Sequence, residues 1–189
     1  VGEGDNAMIQ VAGNSADVVY VSKSARGKQG VAKAEVLRVL HPRATGIIGD
    51  VTFAKPVPAD ADDWSHAYHG PDNNTQSTDQ LARYPYLTQF LGEPMFGCIS
   101  EVTVASGGRV FKAFGHIAFK QISNEVLNKL YAINGHNGTI LWTRPLKEGF
   151  MIHRNTMIAT EDVLYMADHE SCELLDARTG ELLREIKPP

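Results

Sequence analysis

The chain has 189 residues, enough for one ordinary domain or two small ones, and its 43% hydrophobic and 21% charged residues exclude a disordered or collagen-like protein. Its 18 Lys and Arg against 22 Asp and Glu give a net charge of −4 with no basic cluster able to neutralise a row of phosphates, which argues against nucleic acid as a partner. No apolar run approaches the roughly 18 residues of a membrane helix. The first residues, Val1-Gly2-Glu3-Gly4-Asp5, lack an initiator Met and a basic-then-apolar leader, as expected of a mature form or a piece of something longer. Cys98 and Cys172 sit in no metal or redox spacing and could be free or bridged, which leaves the redox compartment open.

Residues 1–55 carry α/β patterning. Asp17-Val18-Val19-Tyr20-Val21-Ser22 is a β-branched run that suits a strand buried on both faces. Val31 to Leu40 then places Val36, Leu37 and Leu40 at helical spacing, with Glu35 and Arg38 opposite and Pro42 as a stop. Thr45 to Phe53 reads as a second strand, completing a Rossmann-like β-α-β unit. From 56 to 98 the periodicity dissolves into Pro56, Pro58, the acids Asp60, Asp62 and Asp63, the Asp72-Asn73-Asn74 turn, Pro85 and Pro94. This is the expected linker, with Trp64, Tyr68, Tyr84, Tyr86 and Phe90 as packing anchors.

Residues 99–189 read as all-β. Eight short strands are expected, at Val102 to Ala105, Arg109 to Gly115, Lys129 to Asn134, Thr139 to Thr143, Thr156 to Thr160, Val163 to Ala167, Cys172 to Asp176 and Glu181 to Ile186. An internal repeat underlies them. Asn134 is separated from Asp176 by the same interval that separates Gly138 from Gly180, and the intervening turns align. A period near 40 built of four short strands indicates propeller blades. Val110-Phe111 aligns with Val163-Leu164 at a longer interval, which places an insertion in the first copy around His116 to Asn128.

The segments Leu130-Tyr131-Ala132-Ile133-Asn134 to Gly138 to Trp142 and Leu174-Leu175-Asp176-Ala177-Arg178-Thr179-Gly180-Glu181-Leu182-Leu183 resemble the blades of the pyrroloquinoline-quinone-like (PQQ-like) β-propeller family. In that family an apolar strand ends in Ala-Leu-Asp, a short turn leads to Thr-Gly, and the next strand ends in Trp. The resemblance implies that Asn134 and Asp176 cap hairpin turns, that Gly138 and Gly180 take positive φ, and that a largely buried Trp142 slots between neighbouring blades. Arg184 stands where the second copy would carry its Trp. Asp63-Trp64 and Gly70 to Ser77 resemble the segment leading into such propellers. The segment 1–55 resembles the end of a class I methyltransferase domain dependent on S-adenosylmethionine (SAM), in which the helix ends in Leu-x-Pro-Gly-Gly; here Arg43-Ala44 replace the two glycines. The junction of the two resembles bacterial proteins in which such a domain runs directly into a PQQ-like propeller.

Two clusters carry the functional expectations. Asp62, Asp63, His66 and His69 bring two acids and two imidazoles close together in the sequence, a donor set for zinc or another divalent ion; the alternative is a solvated linker with Trp64 buried. His153, Arg154 and Asn155, between the two blade copies, could face a central channel and bind a ligand, or could cap a strand. His116, His136 and His169 are isolated. No Ser/His/Asp or Cys/His spacing suggests nucleophilic catalysis, and catalytic residues are unassigned. The expected architecture is thus an α/β fragment followed by about two antiparallel blades of an incomplete propeller. The expected function is a non-catalytic binding or scaffold module of a larger protein, with no cofactor bound by this chain alone. One alternative is part of a quinoprotein oxidoreductase using PQQ with Ca²⁺ in the full-length parent, and a second is a SAM-dependent methyltransferase fragment. Expected partners are the remainder of the propeller, or a second copy through open sheet edges, and the propeller resemblance implies an extracytoplasmic or periplasmic setting.

Overall fold

In a computed structural model the described residues are 7–22, 30–82, 84, 90–92, 102–115, 121–147 and 156–189. They form three sheets, mostly antiparallel, in two compact units, Val1–Ala61 and Asp62–Pro189.

In the first unit, strand β1 (Ala16–Val21) pairs parallel with β2 (Leu40–Ile48), and helix α1 (Lys33–Val39) makes the crossover. A parallel pair needs such a connection because its ends lie at opposite edges. One face of the sheet is apolar and covered: Val21, Val36, Leu40 and Ala44 are buried, with Val19, Val31, Ile48 and Phe53 packed against them. The expected burial of β1 on both faces is corrected, because a single crossover helix covers only one, and Val18 and Tyr20 on the other are exposed. Gly46 lets the covered layer close, because a Cβ there would stand 2.5 Å from the Phe53 ring. The expected single strand from Thr45 to Phe53 is also corrected. The chain turns at Gly49-Asp50 and returns antiparallel as β3 (Val51–Ala54). Apolar residues on both sides of the turn hide a two-residue hairpin signal.

Among the described residues the second unit contains eight strands in two sheets. The first has the order β4 (Val102–Ser106), β5 (Arg109–Phe114), β6 (Lys129–Asn134), β7 (Ile140–Pro145); the second has β8 (Met157–Ala159), β9 (Val163–Ala167), β10 (Cys172–Asp176), β11 (Leu182–Ile186). All pairings in them are antiparallel. The core lies between the two sheets, where Val102, Val104, Phe111, Ala113, Leu130 and Ala132 of the first meet Met157, Ala159, Leu164, Met166 and Leu175 of the second. Pairing corrects the alignment of the early strands. Arg109 opposes Asn134 as Val163 opposes Asp176, so Val163 is the counterpart of Arg109 and not of Val110. The slip matters because one residue exchanges the two faces of a strand. The true counterpart of Phe111 is Tyr165. The extra residues lie between β5 and β6, where Gln121–Val126 forms a short 3₁₀ helix; His116 lies outside the described residues.

Candidate functional site

The repeated turns can be compared atom by atom. After β6, the Asn134 N–H donates to the Thr139 carbonyl and the Gly138 N–H donates to the Asn134 carbonyl, both at 2.8 Å. After β10, Asp176 with Glu181, and Gly180 with Asp176, make the same two bonds at 2.8 Å. Asn134 Oδ1 accepts the His136 N–H, while Asp176 Oδ1 accepts those of Arg178 and Thr179, which hold the Asp176 carboxyl below its ordinary range. Gly138 and Gly180 have φ of +75° and +74°, a region that side chains with a Cβ rarely enter.

Each turn is covered by an aromatic ring. A Cβ on Gly180 would stand 2.7 Å from the Trp142 indole, and one on Gly138 would stand 2.5 Å from the Phe90 ring. Trp142 also donates its Nε1–H to the Ala177 carbonyl at 3.2 Å and lies 5.9 Å from Phe111. It is half-buried rather than largely buried, because β7 is the outer strand of its sheet and the indole lies across the seam. Two residues along the same face, Arg144 bonds the Gly180 carbonyl and pairs with Glu173 at 3.1 Å. A cavity of about 130 Å³ opens beside this pair, lined by Arg144, Leu146, Lys147, Met166, Asp168 and Ser171 among others. Lys147 reaches Glu170 at 2.7 Å and Asp168 at 3.7 Å, so the cations at its rim are neutralised. Sequence reasoning missed this pocket. The alternation that puts Trp142 and Arg144 on one face was its available signal.

Of the four candidate metal ligands, Asp62 and His69 meet, while Asp63 and His66 turn to other partners. Asp62 Oδ2 accepts from His69 Nε2 at 2.8 Å, the Ser77 hydroxyl at 3.0 Å and the Thr78 N–H at 2.7 Å. Asp63 instead accepts from the Ser106 hydroxyl, and His66 Nδ1 faces the Ser65 hydroxyl at 2.8 Å. Among the described residues no three His, Cys, Asp or Glu side chains gather as a metal site. Backbone pairing explains the separation. Trp64 exchanges both of its hydrogen bonds with Ala105 on β4, and the Ala159 N–H on β8 donates to Ser65, so this stretch lies on the inner edges of both sheets. His66 and His69 then bond each other's backbone across a tight turn, which leaves His69 at φ +76°.

The Thr78 N–H, and after it the His69 ring and the Ser77 hydroxyl, hold the Asp62 carboxyl far below the usual carboxylate range. Asp62 in turn raises His69 above the ordinary imidazole value. Cys172 is on β10 without a disulfide partner among the described residues, and Cys98, His153, Arg154 and Asn155 lie outside them. No helix of the described residues is long and apolar enough to cross a membrane. Compared with known families and curated proteins, the chain matches no family model and no curated protein.

Proposed function

We propose that the chain is a non-catalytic, PQQ-like propeller-repeat segment of a larger protein, acting as a binding or scaffold module. The observation that carries this reading is the equivalence of the two four-stranded sheets row by row. In the first sheet the cross-strand row Val104, Phe111, Ala132, Trp142 packs onto the second sheet. In the second sheet the same register positions are Ile158, Tyr165, Leu174, Arg184, on the face turned away from the first. Ile158, Tyr165 and Leu174 are only half-buried and Arg184 is exposed, which supports a role for this face in receiving a further sheet of the same kind. Arg184 can serve there as Trp142 does, since a guanidinium is planar and donates to carbonyls.

The first unit is consistent with the end of a SAM-dependent methyltransferase domain. Its parallel pair and crossover helix suit that architecture, and Arg43, where the family carries glycine, has a φ of +72°. In the second unit, the cavity of about 130 Å³ beside Arg144 is rimmed by paired charges and is below the roughly 300 Å³ at which small-molecule pockets begin, so this cavity is too small for PQQ. Calorimetric titration of the chain with SAM and, separately, with PQQ plus Ca²⁺ is expected to give no saturable heat. A dissociation constant tighter than about 10 µM for either would overturn the scaffold reading in favour of an enzyme domain.

A further inference from the structure

His69 is held by two oxygens that can only accept. Its Nε2 stands 2.8 Å from Asp62 Oδ2 and its Nδ1 stands 3.1 Å from the Asn74 carbonyl. A carboxylate and a carbonyl offer no hydrogen, so both ring nitrogens must donate, and only the imidazolium carries two N–H groups. We propose that His69 is a proton-operated latch that fastens the Asp72–Gln76 turn to the stretch lying on the inner edges of the two sheets. The inference is independent of the repeat reading and of any cofactor.

The surroundings fix which bond the proton controls. Asp62 is the close counter-ion and Asp72 adds a second negative charge, while Asp79 lies within electrostatic reach of Asp62. On the other side are the Trp64 ring, with its centroid 5.2 Å from that of His69, and His66, which is turned toward Ser65. As pH rises, the ring gives up the proton facing the neutral carbonyl and keeps the one facing the carboxylate, because the charge-assisted bond is the stronger. A lone pair then points at the Asn74 oxygen. The turn, otherwise tied by Asp72 Oδ1 to the Asn74 N–H and by Asn74 Oδ1 to the Gln76 N–H, loses its link to His69. Thr78 stays, since its N–H bonds Asp62 directly.

Histidine ring-nitrogen NMR of the full chain, with amide exchange expressed as protection factors, tests this. The expected result is a doubly protonated His69 ring at pH 6, a titration midpoint above the ordinary value of about 6.5, and protection at Asn74 and Gln76 that falls through that midpoint while Thr78 keeps its own. Asp62→Asn is expected to lower the midpoint. His69→Gln is expected to make protection at Asn74 and Gln76 independent of pH. A neutral His69 ring at pH 6, or a titration that leaves Asn74 and Gln76 unchanged, would overturn the latch. Both measurements use the unaltered chain, so the test stands even if a variant fails to fold.

Discussion

Gly180 carries two separate demands. Its φ of +74° costs a residue with a Cβ roughly 1–2 kcal/mol, and the Trp142 ring occupies the space a Cβ would need. Gly180→Ala is therefore expected to lower stability by more than about 2 kcal/mol in urea denaturation, since strain and displaced ring add. Trp142→Ala is expected to cost about 2–3 kcal/mol, below the value for a fully enclosed indole, because the ring is half-buried. A loss under about 0.5 kcal/mol for Gly180→Ala would mean that the turn has another conformation or that the ring lies elsewhere. Arg43 and His69 show the opposite case, each holding a positive φ without being glycine. In both places hydrogen bonds fix the backbone, from the Arg43 N–H to the Lys55 carbonyl and between His66 and His69.

Helix α1 is too short to be stable alone, and its N-cap Ala32 makes no side-chain bond. It is held by burial of Val36 and Val39 and by a clamp in which Glu35 accepts from Arg38 and from the Ile9 N–H, while Arg38 donates to the carbonyls of Ile9 and Val11. Arg38 and then the Ile9 N–H hold the Glu35 carboxyl down to about 2. A depressed acid contributes stability above its unfolded value near 4.5 and loses it as pH falls toward about 2. The Ile9 amide is thus expected to stay protected from exchange down to pH values well below 4.5. In Glu35→Gln that protection should already be reduced at neutral pH, and an Ile9 amide unaffected by the change would remove the clamp.

At this scale the elements were largely readable. Val163–Ala167 and Cys172–Asp176 occur with the expected bounds because short, mostly apolar runs are closed on both sides by polar turn residues, Glu161-Asp162, Asp168 to Ser171 and Arg178 to Gly180. The β2–β3 hairpin was not readable, since Gly49-Asp50 sits inside a continuous apolar run. The one-residue slip between β5 and β9 has a similar cause. Val-Phe and Val-Leu match as apolar pairs in either register, and only pairing to β6 and β10 distinguishes them.

Across the second unit, sequence periodicity located the repeat but not the contact that joins its copies. Gly180 and Trp142 were each visible as motif residues, yet that the ring of one sheet covers the turn of the next depends on packing between strands far apart in the chain. Phe90 was visible only as a packing anchor, although it covers Gly138 as Trp142 covers Gly180. The acid and histidine cluster was visible by composition, but its geometry was not, because backbone pairing of Trp64 and Ser65 sends Asp63 to Ser106 and leaves Asp62 to His69.

The two sheets as successive copies of one unit, each turn glycine covered by an aromatic ring, can be tested directly by the Hα chemical shifts of Gly138 and Gly180. In each glycine the proton standing where a Cβ would be lies against a ring and is expected to be shifted by its ring current away from the position of an unstructured glycine. Trp142→Leu should return Gly180 alone, and Phe90→Leu should return Gly138 alone. Unshifted protons at both glycines in the unaltered chain, or a Gly180 shift that survives loss of the indole, would contradict the docked repeat.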